Sequence, residues 1–314
     1  MSNKYKPMLI VAGEPKSIFF EILIKALKYK NYKSPIIIIS SKKLLYKEIH
    51  KTKLKKKIRL INIKDLKKSK LDNKCINLID IAYSSNKKNY IKNSFKIAFK
   101  IIKSGFAKKM INGPINKKEF LEKKFLGVTE FIAKEFKQKK FAMLIYNKEL
   151  SVCPVTTHLP IKNISNNINK NLILEKVELV NNFYKKNFNF KPKIAVTGLN
   201  PHCESINRFN EDDKIVAPAI KYLKKKGLNV SGPFPADTIF LNQNRKKYNL
   251  IIGMYHDQVL GPIKALKEYD AINITVGLPF FRISPDHGPN TRMINKNKSN
   301  PLSLIRSLEF LDQK

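Results

Sequence analysis

The chain has 314 residues, a formal net charge of +38, 43% hydrophobic residues and three cysteines. That length supports one large domain or two modest ones, each with a real core, and the hydrophobic content marks a globular chain rather than a disordered one. The cysteine count argues against a disulfide framework and suits a reducing cytoplasm; no apolar run has membrane-spanning length, and the N-terminus lacks the apolar core and cleavage site of a signal peptide. The charge itself invites a nucleic-acid reading. The Lys residues, however, are spread along the chain, Arg is scarce, and Lys, Asn and Ile are enriched together, as an AT-rich coding bias would give. Specific nucleic-acid binding is therefore set aside. A cationic surface would draw in a phosphorylated, carboxylated substrate.

In chain order, Met8–Ala12 reads as the first strand, Gly13-Glu14-Pro15 as a turn and Lys16–Lys30 as an amphipathic helix. A glycine turn between strand and helix can cradle an anion. Pro35–Ser40, with four consecutive Ile, reads as a buried strand of a parallel sheet. Residues 41–75 are Lys-rich and read as solvated periphery, with Ile58–Ile63 as a candidate edge strand. Residues 85–110 read as a helix, and Lys109–Ile111 leads to the turn NGPINK. There Lys117 is placed to reach an anionic substrate, although an ordinary surface Lys fits the same position. Residues 127–150 cross into a second domain. Residues 161–188 form an Asn- and Lys-rich helical region, expected to pack on a partner subunit through Ile164, Ile168, Leu172, Leu174, Val177 and Val180. Glu211–Lys225 reads as a helix. Gly232–Phe240, GPFPADTIF, places Asp237 in a Pro-framed turn, either as a helix cap or as an active-site base or orienter.

Three short apolar runs each end in a polar turn that carries a histidine. Ser151–Val155 leads to His158, Lys193–Val196 to His202, and Leu250–Met254 to His256 in the polar group Tyr255-His256-Asp257-Gln258. Strands of one parallel sheet end on one edge, where open α/β sheets build their sites. The three imidazoles can therefore converge, and three imidazoles suit an open divalent-metal site. Cys203, beside His202, fits either a fourth ligand or a small residue in a turn. Lys264 follows His256, and the run Ile272–Val276 leads on to Arg282.

TTHLP, GLNPH, GPFPADTIF, MYHDQ and NITVGLPFFR with DHG, in this order, resemble the 4-hydroxythreonine-4-phosphate dehydrogenase family of vitamin B6 synthesis. NGPINK and GVTEF fit more loosely. The resemblance implies a two-domain α/β/α fold like isocitrate and isopropylmalate dehydrogenases, with the active site in the interdomain cleft. Residues 1–127 plus 285–314 would form the first α/β domain. Residues 128–284 would form the second, carrying the metal and substrate motifs. It further implies a divalent metal (Zn, Co, Mn or Mg) on His158, His202 and His256, substrate contacts from Thr129, Lys264, Asn273 and Arg282, and a homodimer with a shared active site. Asp237 is the expected catalytic base, with Lys117 beside it as a candidate. Asp286, His287 and Gly288 open a stretch that resembles the HG…AGKG…NP cofactor loop of isopropylmalate-type dehydrogenases. No GxGxxG occurs, so this loop would carry NAD or NADP.

The implied reaction is metal-dependent, NAD(P)-linked oxidation of 4-phosphohydroxythreonine with decarboxylation, by a cytoplasmic enzyme. Two alternatives fit the same motifs: a dehydrogenase of threonate or erythronate 4-phosphate, and a weakened paralogue that binds a phosphorylated ligand. The second is motivated by three departures from the family pattern. GEPKSIFFE stands for GEPAGIGPE, Val128 for the His of GHTEF, and Ile294-Asn295-Lys296-Asn297 for AGKG.

Overall fold

The computed structural model describes residues 5–83, 86–121, 124–206, 209–285 and 287–314, without the side chains of residues 117 and 118. The chain divides into two compact units, Met1–Val128 with Pro279–Lys314, and Thr129–Leu278. The return to the first unit comes at Pro279, ahead of the expected residue 285, so Arg282 belongs to the first unit.

The first unit opens with β1 (Met8–Val11), α1 (Phe19–Tyr29), β2 (Ile36–Ser40), α2 (Lys42–Thr52), β3 (Ile58–Leu60) and β4 (Ile76–Asp80). It continues with α3 (Lys87–Lys103), β5 (Lys109–Asn112) and α4 (Lys117–Leu121). The second unit holds α5 (Val128–Glu135) from Thr129 onward, then β6 (Ala142–Tyr146), β7 (Ser151–Pro154), α6 (Ile164–Asn167), α7 (Lys170–Phe188) and β8 (Ile194–Thr197). A π-helical turn (Asp212–Val216) runs into α8 (Ala217–Lys225), followed by β9 (Val230–Phe234), α9 (Ala236–Ile239), α10 (Asn242–Arg245), β10 (Leu250–Gly253), α11 (His256–Lys267) and β11 (Ile272–Val276). The chain then adds β12 (Phe281–Pro285) and α12 (Leu302–Asp312) to the first unit. Among the described residues, no helix is long and apolar enough to cross a membrane.

Within the first unit the strands run β3-β4-β2-β1-β5-β12, all parallel. Ile36–Ile39 of β2 are all buried, as a parallel strand covered on both faces requires. Each such side chain contributes about 1.5–3 kcal/mol. The edge strand β3 ends at Leu60, short of Ile63. Helix α1 begins at Phe19, not Lys16. The Ser17 hydroxyl donates to Glu14 O at 2.7 Å and accepts from Phe19 N at 3.3 Å, so residues 14–18 form a closed turn. Phe19, Ile22, Leu23 and Ala26 are wholly buried, at helical spacing.

Within the second unit the order is β11-β6-β7-β10-β8-β9. Strands β7, β10, β8 and β9 are parallel, whereas β6 pairs antiparallel with both β7 and β11. Helix α7 is capped by asparagine at each end. The Asn169 side chain accepts from Leu172 N at 2.9 Å, and Asn189 closes the helix in the left-handed conformation with φ 59°. Its apolar face corrects one expectation. Ile164, Ile168, Val177 and Val180 are buried within the chain, while only Leu172 and Leu174 of the expected partner face are partly exposed. An amphipathic stripe has the same spacing whether it meets a partner or its own sheet; here α7 packs on β6 and β11.

Candidate active site

Strands β7, β10 and β8 are adjacent and parallel, with Pro154 opposite Gly253 and Val196 opposite Ile252. Their following turns carry His158, His256 and His202, so all three histidines leave one edge of one sheet. The expected polar turn around His256 is the first turn of α11. The rings of His158 and His256 lie 5.7 Å apart, with planes inclined by 38°. Ligation of one ion through metal–nitrogen bonds of about 2 Å puts two imidazole centres about 5 Å apart, so the pair fits a shared ion. Among the described residues, no three His, Cys, Asp or Glu side chains already stand in metal-binding geometry. His202 sits in its turn with φ 54° and ψ 13°.

Glu130, from the first turn of α5, reaches this edge. Its Oε1 accepts a hydrogen bond from the Thr157 hydroxyl at 3.2 Å and lies 3.9 Å from His158 Nδ1. Burial works against ionisation of this carboxyl, but His158 and the Thr157 hydroxyl outweigh it and hold Glu130 below the usual carboxylate range. His256 Nδ1 lies 2.7 Å from Asp257 Oδ1. Asp237 is exposed in the first turn of α9, whose N-cap position is held by Pro235. Together with Asp212, its charge adds to burial in raising the Cys203 thiol above its ordinary value. Cys203 packs closely on Gly198, where a Cβ would meet its Sγ at 2.6 Å; this fits a small space-filling residue.

The expected substrate residues fall in both units. Thr129 is buried in the first turn of α5, and Lys264 is half-buried on α11, about 12 Å along the helix from His256 at 1.5 Å per residue. Asn273 lies on β11, and its Oδ1 is buried with no hydrogen-bond partner. In the first unit Arg282 is 2% exposed, and its Nε donates to Asn112 Oδ1 at 2.8 Å. Lys117 opens α4, but its side chain and the whole of Asp286 lie outside the described residues.

Also in the first unit, the turns after β1 and β5 interlock. Glu14 N donates to Pro114 O and Gly113 N to Val11 O, both at 2.8 Å. A Cβ on Gly113 would lie 2.2 Å from Ala12 O, and one on Gly13 would lie 2.5 Å from Pro114 O. Beside these turns is a cavity of about 540 Å³ lined by Glu14, Lys16, Lys87, Asn116, Glu119 and residues 289–292. His287 is half-buried, with Nδ1 3.0 Å from Gly288 O, and Gly288 is exposed.

The family model for "Pyridoxal phosphate biosynthetic protein PdxA" matches residues 31–311. A 4-hydroxythreonine-4-phosphate dehydrogenase of Sulfurihydrogenibium sp. (strain YO3AOP1) is 38% identical over 96% of each chain.

The chain belongs to the PdxA family.

A D-threonate 4-phosphate dehydrogenase of Pectobacterium atrosepticum is 33% identical over 74% of this chain and 70% of its own. The crystal structure of a 4-hydroxythreonine-4-phosphate dehydrogenase from Klebsiella pneumoniae superposes with a TM-score of 0.83, at 28% identity over the whole of both chains.

The three departures from the family pattern have different physical weight. At the first turn, Ser17 closes the loop on itself and the wholly buried Phe19 ring fills the space beside Gly113; the turn is occupied by its own residues and not left open for an anion. At Val128 an apolar, buried side chain replaces a polar one. In the tail loop, Asn295 and Asn297 stand where the AGKG of the isopropylmalate-type cofactor loop carries glycine, and both adopt left-handed φ, 68° and 52°. Asparagine tolerates this region better than other non-glycine residues, so a left-handed backbone at both positions needs no glycine. Lys25 anchors it through Asn297 O at 3.0 Å and Ser299 O at 2.9 Å, and Glu21 accepts from Ser299 N at 2.8 Å.

Sequence reading missed Glu130, Asn112, Asp212 and Gln258. Each lies inside or beside a quoted motif (GVTEF, NGPINK, the start of 211–225, MYHDQ), so proximity to a motif was the available signal. Their roles are pairings across the fold, which no local pattern encodes.

Proposed function

We propose that the chain catalyses metal-dependent, NAD(P)-linked oxidation of 4-phosphohydroxythreonine with decarboxylation to 3-amino-2-oxopropyl phosphate. As a PdxA-family member it is an oxidoreductase of pyridoxal phosphate biosynthesis that works with a nicotinamide cofactor. The observation that carries the fuller reading is the imidazole pair of His158 and His256, with Glu130 behind His158, at the carboxyl edge of parallel strands.

His158, His202 and His256 would hold the divalent ion (Zn, Co, Mn or Mg). When bound, the ion lowers the pKa of a coordinated hydroxyl and stabilises negative charge on oxygen. Glu130, 3.9 Å from His158 Nδ1, stands where a carboxylate behind a ligating histidine stands, and a slight approach would let it accept the imidazole N–H and orient the ring. Asp237 is the candidate to take the substrate hydroxyl's proton, directly or through a water. Lys264 and Arg282 suit the phosphate and carboxylate ends. The unpartnered Asn273 Oδ1 is ready for a donor on the substrate, and Thr129 and Lys117 suit an anionic group. Asp286, His287 and Gly288 open the loop assigned to the cofactor, which supplies the hydride acceptor. The cavity of about 540 Å³ beside residues 289–292 offers room for part of it. We further read the enzyme as a cytoplasmic homodimer that shares its active sites and has no specific nucleic-acid or membrane partner.

The deciding experiment is reduction of NAD and of NADP with 4-phosphohydroxythreonine, and separately with threonate and erythronate 4-phosphates, each with and without a chelator. Chelator-sensitive turnover of the amino acid phosphate is expected. Preferential turnover of the sugar acid phosphates would replace it with the threonate or erythronate phosphate reading, which the Pectobacterium relative favours. No turnover of any of them would leave the ligand-binding paralogue. Arg282→Ala should raise KM at least about tenfold, with Arg282→Lys rescuing only in part because the planar fork is lost.

A further inference from the structure

We infer that Asp212 and Gln258 are positioning residues that together fix His202 for ligation, an inference that rests on the metal reading above. His202 and Cys203 both have left-handed backbones, φ 54° and 64°. A non-glycine residue holds that conformation only where its surroundings over-determine it. Two buried side chains fix residues 197–200, the stretch that leads into His202 and Cys203. Asp212 is wholly buried and accepts from Leu199 N at 2.6 Å, Asn200 N at 3.0 Å and Asn200 Nδ2 at 3.1 Å. It opens the π-helical turn, a rare conformation that gathers at functional sites. Gln258 accepts from Met254 N at 2.6 Å and the Thr197 hydroxyl at 2.9 Å, and its Nε2 donates to Gly198 O at 2.7 Å.

One amide therefore ties the end of β8, where the His202 turn begins, to the end of β10, two residues before His256. One carboxylate gathers the next two residues of the same turn. Gly198 leaves room for this, since a Cβ there would lie 2.9 Å from Asp212 Oδ1. The bonds that Asp212 and Gln258 make run to the protein's own turns, so both act through His202 and not on the substrate.

Two near-isosteric variants test the frame. Asp212→Asn sets an amide N–H₂ against backbone donors. Gln258→Glu keeps both acceptor contacts and loses the donation to Gly198 O. The probes are cobalt(II) titration, read by affinity and visible absorption, and amide hydrogen exchange across residues 198–203. Both variants should bind cobalt about ten- to a hundredfold more weakly, with a changed spectrum. Exchange should be at least about tenfold faster in residues 198–203 and unchanged in β6. Unaltered cobalt affinity and spectrum would overturn the positioning role even if exchange rose, and unaltered exchange would overturn the frame itself. His202→Ala is the control. If it leaves cobalt binding intact the metal reading fails, while the exchange data still decide whether the two side chains hold the turn. Should Asp212→Asn fail to fold, Gln258→Glu carries the same test alone.

Discussion

At the carboxyl ends of β7, β10 and β8, the second unit presents side chains: three imidazoles, Glu130 behind one of them, and Asp212 and Gln258 binding the turns beneath. At the carboxyl ends of β1 and β5, the first unit presents mainly backbone, with Gly13 and Gly113 interlocked and a tail loop anchored to α1. The departures from the family pattern fall on the second kind of surface more than the first. A ligand's chemistry belongs to one side chain and tolerates no exchange, whereas a backbone course can be kept by any residue that accepts its φ and fits its space. Asn295 and Asn297 meet that condition; Val128, a lost polar group, does not.

The largest expected effect sharpens this contrast through two glycines. Gly113→Ala drives a Cβ into backbone, 2.2 Å from Ala12 O, and should cost about 3 kcal/mol in urea unfolding. Gly198→Ala meets side-chain atoms, Cys203 Sγ and Asp212 Oδ1, which can shift. It should cost about 1–2 kcal/mol yet abolish tight metal binding. Equal losses of stability, with metal binding kept, would erase the distinction between the units.

A smaller effect tests the asparagine substitution. Asn297→Gly should stay within about 0.5 kcal/mol of the parent in chemical denaturation, while Asn297→Val should lose about 1–2 kcal/mol, the usual cost of left-handed backbone. If valine were tolerated as well as glycine, the left-handed backbone at this position would not matter to the loop.

The smallest effect is a pH dependence in the first unit. Burial, ahead of the opposing pull of Lys87, raises the Glu14 carboxyl above its ordinary value. The folded state therefore binds the proton more tightly than the unfolded chain. Below an unfolded value of about 4.3 the group is neutral in both states and costs nothing; as pH rises through the folded value, the cost of burying its charge appears. Glu14→Gln should accordingly raise the melting temperature by a few degrees at pH 7, with the gain vanishing near pH 4. A gain that persisted at pH 4 would show that charge burial is not its cause.

The sequence by itself determined the strands and their chemistry. Apolar runs such as Ile36–Ile39 and Leu250–Gly253 are buried strands because their side chains have nowhere else to go, and the histidines behind three of them mark one sheet edge because parallel strands share a direction. Only the tertiary structure decided what those residues meet. The stripe on α7 faces its own sheet, because periodicity reports that a face is buried and not by what. Arg282 lies in the first unit, its Nε held by Asn112 from a strand 170 residues earlier in the chain. Gln258 joins two turns 60 residues apart. Hydrogen bonds of that kind depend on the register of strands brought together by folding, and register is a property of the assembled sheet rather than of any local stretch of sequence.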